Sequence, residues 1–271
     1  MKQTLAMISI IGALIFGSIG AWLAADFEAG FAALQKAYYT AALREWTPLA
    51  EQGDAEAQFN LGVMYRKGQG VSQDYQTAVK WYRLAAEQGD AEARARLGLM
   101  YAEEQGVSQD YKTAAKWYAL AAEQGDAKAQ YNLGVMYHKG YGVQRDNKQA
   151  AKWFALAAKQ GIAQAQHNLG IMYGKGQGVS QDDKQATKWF TRAAEQGIAD
   201  AQNNLGAMYY GGQGVSQDYV TAHMWANIAS MNGVEIAAKL RNAIAKEMTP
   251  AQIHAAQKRA KDCVAKNYKD C

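Results

Sequence analysis

The feature that most restricts this chain is a repeat of 36 residues. Gly53, Gly89, Gly125, Gly161, Gly197 and Gly233 stand 36 apart, and whole blocks travel with them. Leu61-Gly62 returns as Leu97-Gly98, Leu133-Gly134, Leu169-Gly170 and Leu205-Gly206. Tyr65 and Trp81 each return four times at the same spacing. Five units, 53–88, 89–124, 125–160, 161–196 and 197–232, follow one another without an insertion. A period of this length means that each unit buries its apolar face against its neighbours. A fold with one enclosed centre is excluded.

Each unit reads as two helices. Asp54 stands where a cap is needed, and Ala57, Leu61, Gly62 and Tyr65 then fall on one face of a 3.6-residue period. Gly68 and Gly70 supply the left-handed backbone that ends the helix. Asp74 caps the second helix, whose apolar stripe is Ala78, Trp81, Tyr82 and Ala85. No β-branched alternation supports a strand. The alanine columns permit close helix approach. Gly62, in mid-helix, costs about 1 kcal/mol against alanine, so its recurrence predicts a helix passing directly over it.

The pattern A-x-x-x-L-G-x-x-Y-x-x-G-x-G-V-x-x-D-x-x-x-A-x-x-W-Y/F-x-x-A-A-x-x-G resembles the Sel1-like repeat, a relative of the tetratricopeptide repeat, over all of 53–232. The fold expected is all-α, a right-handed α/α superhelix of stacked antiparallel helix pairs. The departures are Glu104 at the first loop glycine of the second unit, Ile162 and Ile198 at the capping Asp, and Ala226 at the aromatic after Trp225. The resemblance implies that first helices line a concave binding surface.

The ends read differently. Residues 1–25 carry one base, Lys2, and no acid, with an apolar run from Leu5 to Ala25. That describes a signal peptide or, if uncleaved, an N-terminal membrane anchor. Either reading puts the remainder outside the cytoplasm, as a periplasmic or secreted protein or one held at the inner membrane. Residues 26–52 keep the repeat register through Ala42, Trp46 and Gly53 and are expected to form an N-terminal capping helix pair, kinked at Pro48. Residues 233–271 are expected to form C-terminal capping helices and a cysteine-containing tail, with a capping box at Thr249-Pro250-Ala251-Gln252. Cys263 and Cys271 are eight apart. In one continuous helix their Cα atoms would lie about 12 Å apart, beyond the roughly 4.4–6.8 Å of a bridge. A disulfide between them, expected in an oxidising compartment, requires the helix to end near Asn267.

The formal net charge is +4. Residues 26–232 hold 20 bases and 21 acids, whereas 233–271 hold 8 and 4. A neutral body with a basic end lacks the stripe of a nucleic-acid protein. No catalytic residue, cofactor or metal is expected: H-E-x-x-H, G-x-S-x-G and S-x-x-K are all missing. Asp74, Asp110, Asp146, Asp182 and Asp218 belong to the repeat itself and are read as caps.

Function is then sought where the units differ. On the first helix the positions equivalent to 56, 59, 63 and 66 vary and lie opposite Leu61 and Tyr65. This face is expected to be released from packing. Phe59, Tyr131 and Tyr210 are candidate aromatic anchors. Arg66, Lys128 and Lys139 are placed to pair with partner carboxylates, and His138, His167 and Asn203 complete the face. Asn60, Asn132, Asn168 and Asn204 border it, and either hold a peptide backbone or bond the adjacent helix.

The expectation is an exported, monomeric, non-enzymatic scaffold for an envelope protein or peptide. It binds no nucleic acid and meets a membrane only through its N-terminal segment. The alternative, a cell-wall-directed penicillin-binding or weak β-lactamase-like protein, is implied by cysteine-rich relatives. Their repeats carry disulfides, and these repeats contain no cysteine.

Overall fold

The computed structural model describes residues 27–269 and Cys271, so the apolar segment 1–25 lies outside the described residues. Fourteen helices and no strand are found among them. They fall into two compact units, 27–126 and Ala127–Cys271. The first holds α1 (27–35), α2 (Tyr39–Glu51), α3 (Ala55–Lys67), α4 (Tyr75–Glu87), α5 (Ala91–Ala102) and α6 (Tyr111–Glu123). The second holds α7 (Ala127–Lys139), α8 (Asn147–Lys159), α9 (Ala163–Lys175), α10 (Asp183–Ala194), α11 (Ala199–Gly211) and α12 (Tyr219–Met231). It closes with α13 (Glu235–Ala245) and α14 (Pro250–Ala265). Within each unit helix pairs stack in chain order, each second helix packing on its own first helix and on the next.

The caps explain why the helices begin where they do. The Asp54 carboxylate accepts from the Ala57 amide at 2.7 Å. Asp74 accepts from Gln76 and Thr77, and Asp110, Asp146 and Asp218 repeat that geometry. Ile162 and Ile198 start α9 and α11 without a side-chain cap. Helix ends follow the glycines: Gly68 takes φ 67°, and Glu104, which replaces its equivalent, is held at φ 59°. α2 continues through Pro48 to Glu51 as one helix.

The Leu-Gly pair has a more specific reason than a helix passing overhead. A Cβ on Gly62 would lie 2.6 Å from the Tyr82 ring, and one on Gly134 would lie 2.7 Å from that of Phe154. The glycine seats the aromatic of the partner helix flat on its backbone. Gly98 seats Tyr118 and Gly170 seats Phe190 in the same way, and in the N-terminal pair Gly30 seats Trp46. In the fifth repeat Ala226 removes the ring, and there the second helix itself closes in: a Cβ on Gly206 would lie 3.1 Å from Ala222 O and Ala226 N. A helix passing directly over the glycine is therefore right for that repeat alone.

A second column, missed in the sequence, ties the pairs together. Gln58 is 4% exposed and donates to Ala50 O at 2.9 Å, while Gln88 donates to its Oε1 at 2.8 Å. Gln166 and Gln202 make the same bridge, with Gln196 and Asn232 as donors. Each buried amide thus satisfies a carbonyl at the end of the preceding second helix.

The C-terminus does not simply add another pair. α13 packs on α12 as a first helix would, but α14 also packs on α12, burying Met224, Trp225 and Ile228 against Ala260 and Cys263. α14 ends at Ala265, and Asn267 and Tyr268 have positive φ. The chain turns there, which brings the Cα atoms of Cys263 and Cys271 to 5.2 Å, and the two sulfurs are bonded. Arg259 ties the turn to the stack, donating to Thr221 Oγ1 and to Cys271 O.

Candidate functional site

The varying face of the first helices is not free of packing. At the position of residue 59, Phe59 lies on the Tyr82 ring with centroids 5.7 Å apart. Tyr131 lies on Phe154 and His167 on Phe190, each at 5.9 Å. These side chains continue the aromatic column that the glycines seat, and all are half-buried. The expectation that this position is released from packing is therefore corrected: its inner edge packs and its outer edge faces solvent. The position of residue 63 is corrected further, because Val63, Val135 and Ile171 pack against the apolar clusters.

The position of residue 66 is likewise tied to the second helix of its own pair. Arg66 Nε lies 3.4 Å from the Tyr82 hydroxyl, and His138 Nδ1 lies 3.1 Å from Asn147 Oδ1. Tyr210 packs against Tyr219 with the rings tilted by 44° and centroids 5.7 Å apart. Lys128 and Lys139 are exposed, Lys139 with its Nζ 5.8 Å above the Tyr141 ring. His138 and His167 take different partners, and among the described residues no three metal-ligating side chains converge.

The asparagine column resolves in part. Asn204 Nδ2 donates to His167 Nε2 at 3.2 Å, and the Asn168 amide shares a hydrogen bond with the Tyr131 hydroxyl. Each links its first helix to the preceding one across the face, so at these two positions the amides are engaged by the adjacent helix. Asn60 and Asn132 are half-buried. Asn203 keeps a buried Oδ1 without a partner. Burial lowers the pKa of His167, partly offset by Asp200. An amide donating to Nε2 also requires that nitrogen to be unprotonated, so both effects hold the imidazole neutral. Burial raises the Tyr131 hydroxyl.

In the second unit these residues frame a recess. His138, Phe154, Asn168, Ile171, Met172 and Gln177 line a cavity of about 50 Å³. Its floor is apolar and its rim carries an imidazole and two amides. It is large enough for a methyl or a short aliphatic side chain and holds no group suited to covalent chemistry.

Comparison with known proteins places this architecture. The family model described as Sel1 repeat matches residues 55–90, 91–126, 127–162, 163–198 and 199–234. A protective antigen of uropathogenic Escherichia coli with an SLR fold is 33% identical with a TM-score of 0.79, over 93% of this chain and 56% of that one. The chain thus spans little more than half the length of that relative. A Sel1 repeat protein from Oxalobacter formigenes is 32% identical with a TM-score of 0.75, over 87% of this chain and 99% of that one. No curated protein matches the chain at a significant level. Five matched repeats and two solved relatives above 30% identity establish that this chain belongs to the Sel1-repeat family, whose members generally serve as protein-interaction scaffolds rather than enzymes.

Proposed function

We propose that this chain is an exported scaffold that binds an envelope protein or peptide along its first-helix face and performs no chemistry on it. The observation that carries the reading is the row of half-exposed side chains, Tyr131, His167 and their equivalents, which change from repeat to repeat on a constant ring-on-glycine base. Each is clamped from below by an aromatic ring, and Tyr131 and His167 are clamped from the side by an asparagine. Such side chains lose little further freedom on binding, which favours recognition. The cavity beside His138 and Asn168 suits a small aliphatic side chain of the partner, with Lys128 and Lys139 at hand for its carboxylates.

Export is supported by residues 1–25 and by the Cys263–Cys271 bond, which persists in an oxidising compartment. The protective-antigen relative points the same way. Mass spectrometry of the protein recovered from envelope and cytoplasmic fractions tests export and shows whether the segment is cleaved.

The binding reading is tested by recovering partners from envelope extracts and titrating the recovered partner calorimetrically. Lys128→Glu/Lys139→Glu alters the exposed part of the face and should weaken binding by about tenfold or more. Thermal melting confirms that the variant is folded. Equal affinity for the two proteins would refute the assignment.

A further inference from the structure

The net charge hides two opposed charges. Residues 27–126 hold 10 bases and 14 acids, whereas 127–271 hold 18 bases and 10 acids. Half of the excess in the second unit comes from 233–271, and α8 and α10 carry six of the ten bases in 127–232. On α8 the exposed face is Lys148, Lys152, Leu156 and Lys159, and on α10 it carries Lys184, Lys188 and Arg192. α8 has no acid at all. At the same repeat positions in the first unit, α4 carries Lys80 and α6 carries Lys112 and Lys116, and both end on an acid, Glu87 and Glu123; α10 keeps that acid as Glu195, and only α8 replaces it, with Lys159.

The two helices are neighbours, since Trp189 of α10 packs into the cluster of Ala151, Phe154 and Ala158 on α8. Lys188 and Arg192 lie over the Trp189 ring at 5.9 and 4.9 Å, and Lys152 lies over Trp153 at 5.3 Å. α14, which packs on α12, adds exposed Lys258 and Lys261 to the unit. Leu156, 36% exposed, stands among these charges.

We propose that the second-helix face of residues 127–271 docks on an anionic phospholipid surface. The chemistry favours lipid over protein. Lysines are depleted from protein interfaces, where arginine and aromatic anchors dominate. Here lysine prevails as an array of hydrated point charges with no shaped recess, which suits a diffuse negative plane. Leu156 and the half-buried Trp153 ring give such a face some apolar contact with the headgroup layer. The disulfide argues for a compartment without nucleic acid.

The test is flotation of the full chain with vesicles of phosphatidylcholine alone and of phosphatidylcholine with one-third phosphatidylglycerol, at low and high salt. The apolar N-terminal segment contributes equally to both vesicle types, so the anionic preference is the readout. The wild type should prefer the anionic vesicles by about tenfold or more, and high salt should remove the preference. Lys152→Gln/Lys184→Gln/Lys188→Gln should lose it, while Lys175→Gln/Lys239→Gln/Lys246→Gln, equal in net charge and on first-type helices or the turn after α13, should keep it. All six side chains are exposed, and circular dichroism confirms folding of both variants. Equal loss in the two variants, or no anionic preference, would overturn the proposal. So would tighter binding to soluble polyglutamate than to anionic vesicles at equal total charge, which would assign the face to an acidic polypeptide.

Discussion

The ring-on-glycine contact predicts that two glycines in neighbouring first helices respond to alanine with opposite sign. A Cβ on Gly134 would lie 2.7 and 2.8 Å from Cδ1 and Cε1 of Phe154, well inside van der Waals contact. The ring is 1% exposed, and any retreat is limited to the small cavity it borders with His138 and Met172. Overpacking of this kind costs about 1–3 kcal/mol, against at most about 1 kcal/mol gained in helix propensity. Gly134→Ala should therefore destabilise by about 1 kcal/mol, the middle of the overpacking range less the propensity gain. Gly174, near the end of α9, has a helical φ and its Cβ would meet only Ala186 Cβ at 3.7 Å. Gly174→Ala should stabilise by about 0.5 kcal/mol. Combining Gly134→Ala with Phe154→Ala should turn the first penalty into a gain, a coupling of about 2 kcal/mol in a double-mutant cycle. Urea melts followed by both tryptophan fluorescence and circular dichroism are the assay, because stacked repeats need not unfold in one step. If Gly134→Ala is neutral or stabilising on its own, the ring does not dictate the glycine and the account of the Leu-Gly pair fails.

Three further outcomes follow from single observations. Glu104 sits at φ 59°, which costs a non-glycine residue about 1–2 kcal/mol, so Glu104→Gly should raise the melting midpoint and Gly68→Ala should lower it. Gln166→Leu strands the Ala158 carbonyl and the Gln196 amide, and thermal melting should register a loss of about 1–3 kcal/mol. Burial lowers the pKa of both His167 and His223 below 6.5, so the unfolded chain binds more protons than the folded one as the medium acidifies. Stability is full above about pH 6.5 and falls as pH drops from there toward the folded-state values. His167→Tyr/His223→Val, which copy Tyr131 and Val79, should flatten the melting midpoint between pH 6.5 and 5, and an unchanged slope would contradict this origin.

Much of the fold was legible because the repeat compares the chain with itself. The capping aspartates, the Leu-Gly pairs and the helix-ending glycines recur where the physics needs them, and only the partner of Gly62 was misjudged. Variation was a poorer guide. The position of Phe59 varies, which reads as freedom, yet its side chain rests on Tyr82. The signal that could have found this is the fifth repeat, where the aromatic becomes Ala226 and its partner becomes Asn203. The buried Gln58 column was missed because a glutamine on a helix reads as solvated, although its near-identity in four of five repeats marks it as tied down. The place of α14 was legible too. α12 alone is apolar on every side, with Met224 and Ile228 where other repeats carry Lys80 and Leu84. A second helix that loses its polar face must be covered on that face.

That last comparison also bears on how one scaffold carries two surfaces. The outward positions of the second helices contribute nothing to the ring-on-glycine core, so their side chains can change without cost to the stack. They are covered by α14 on α12, mixed in charge on α4, α6 and α10, and purely cationic on α8. The first-helix positions differ in kind: each is half packed, so a substitution there alters stability and recognition together. Binding studies on Tyr131 or His167 must therefore be read against melting curves. Substitutions at the exposed Lys148 or Lys184 chiefly move charge, whereas Lys152 and Lys188 also lose their contacts with the Trp153 and Trp189 rings, so melting curves are needed there as well.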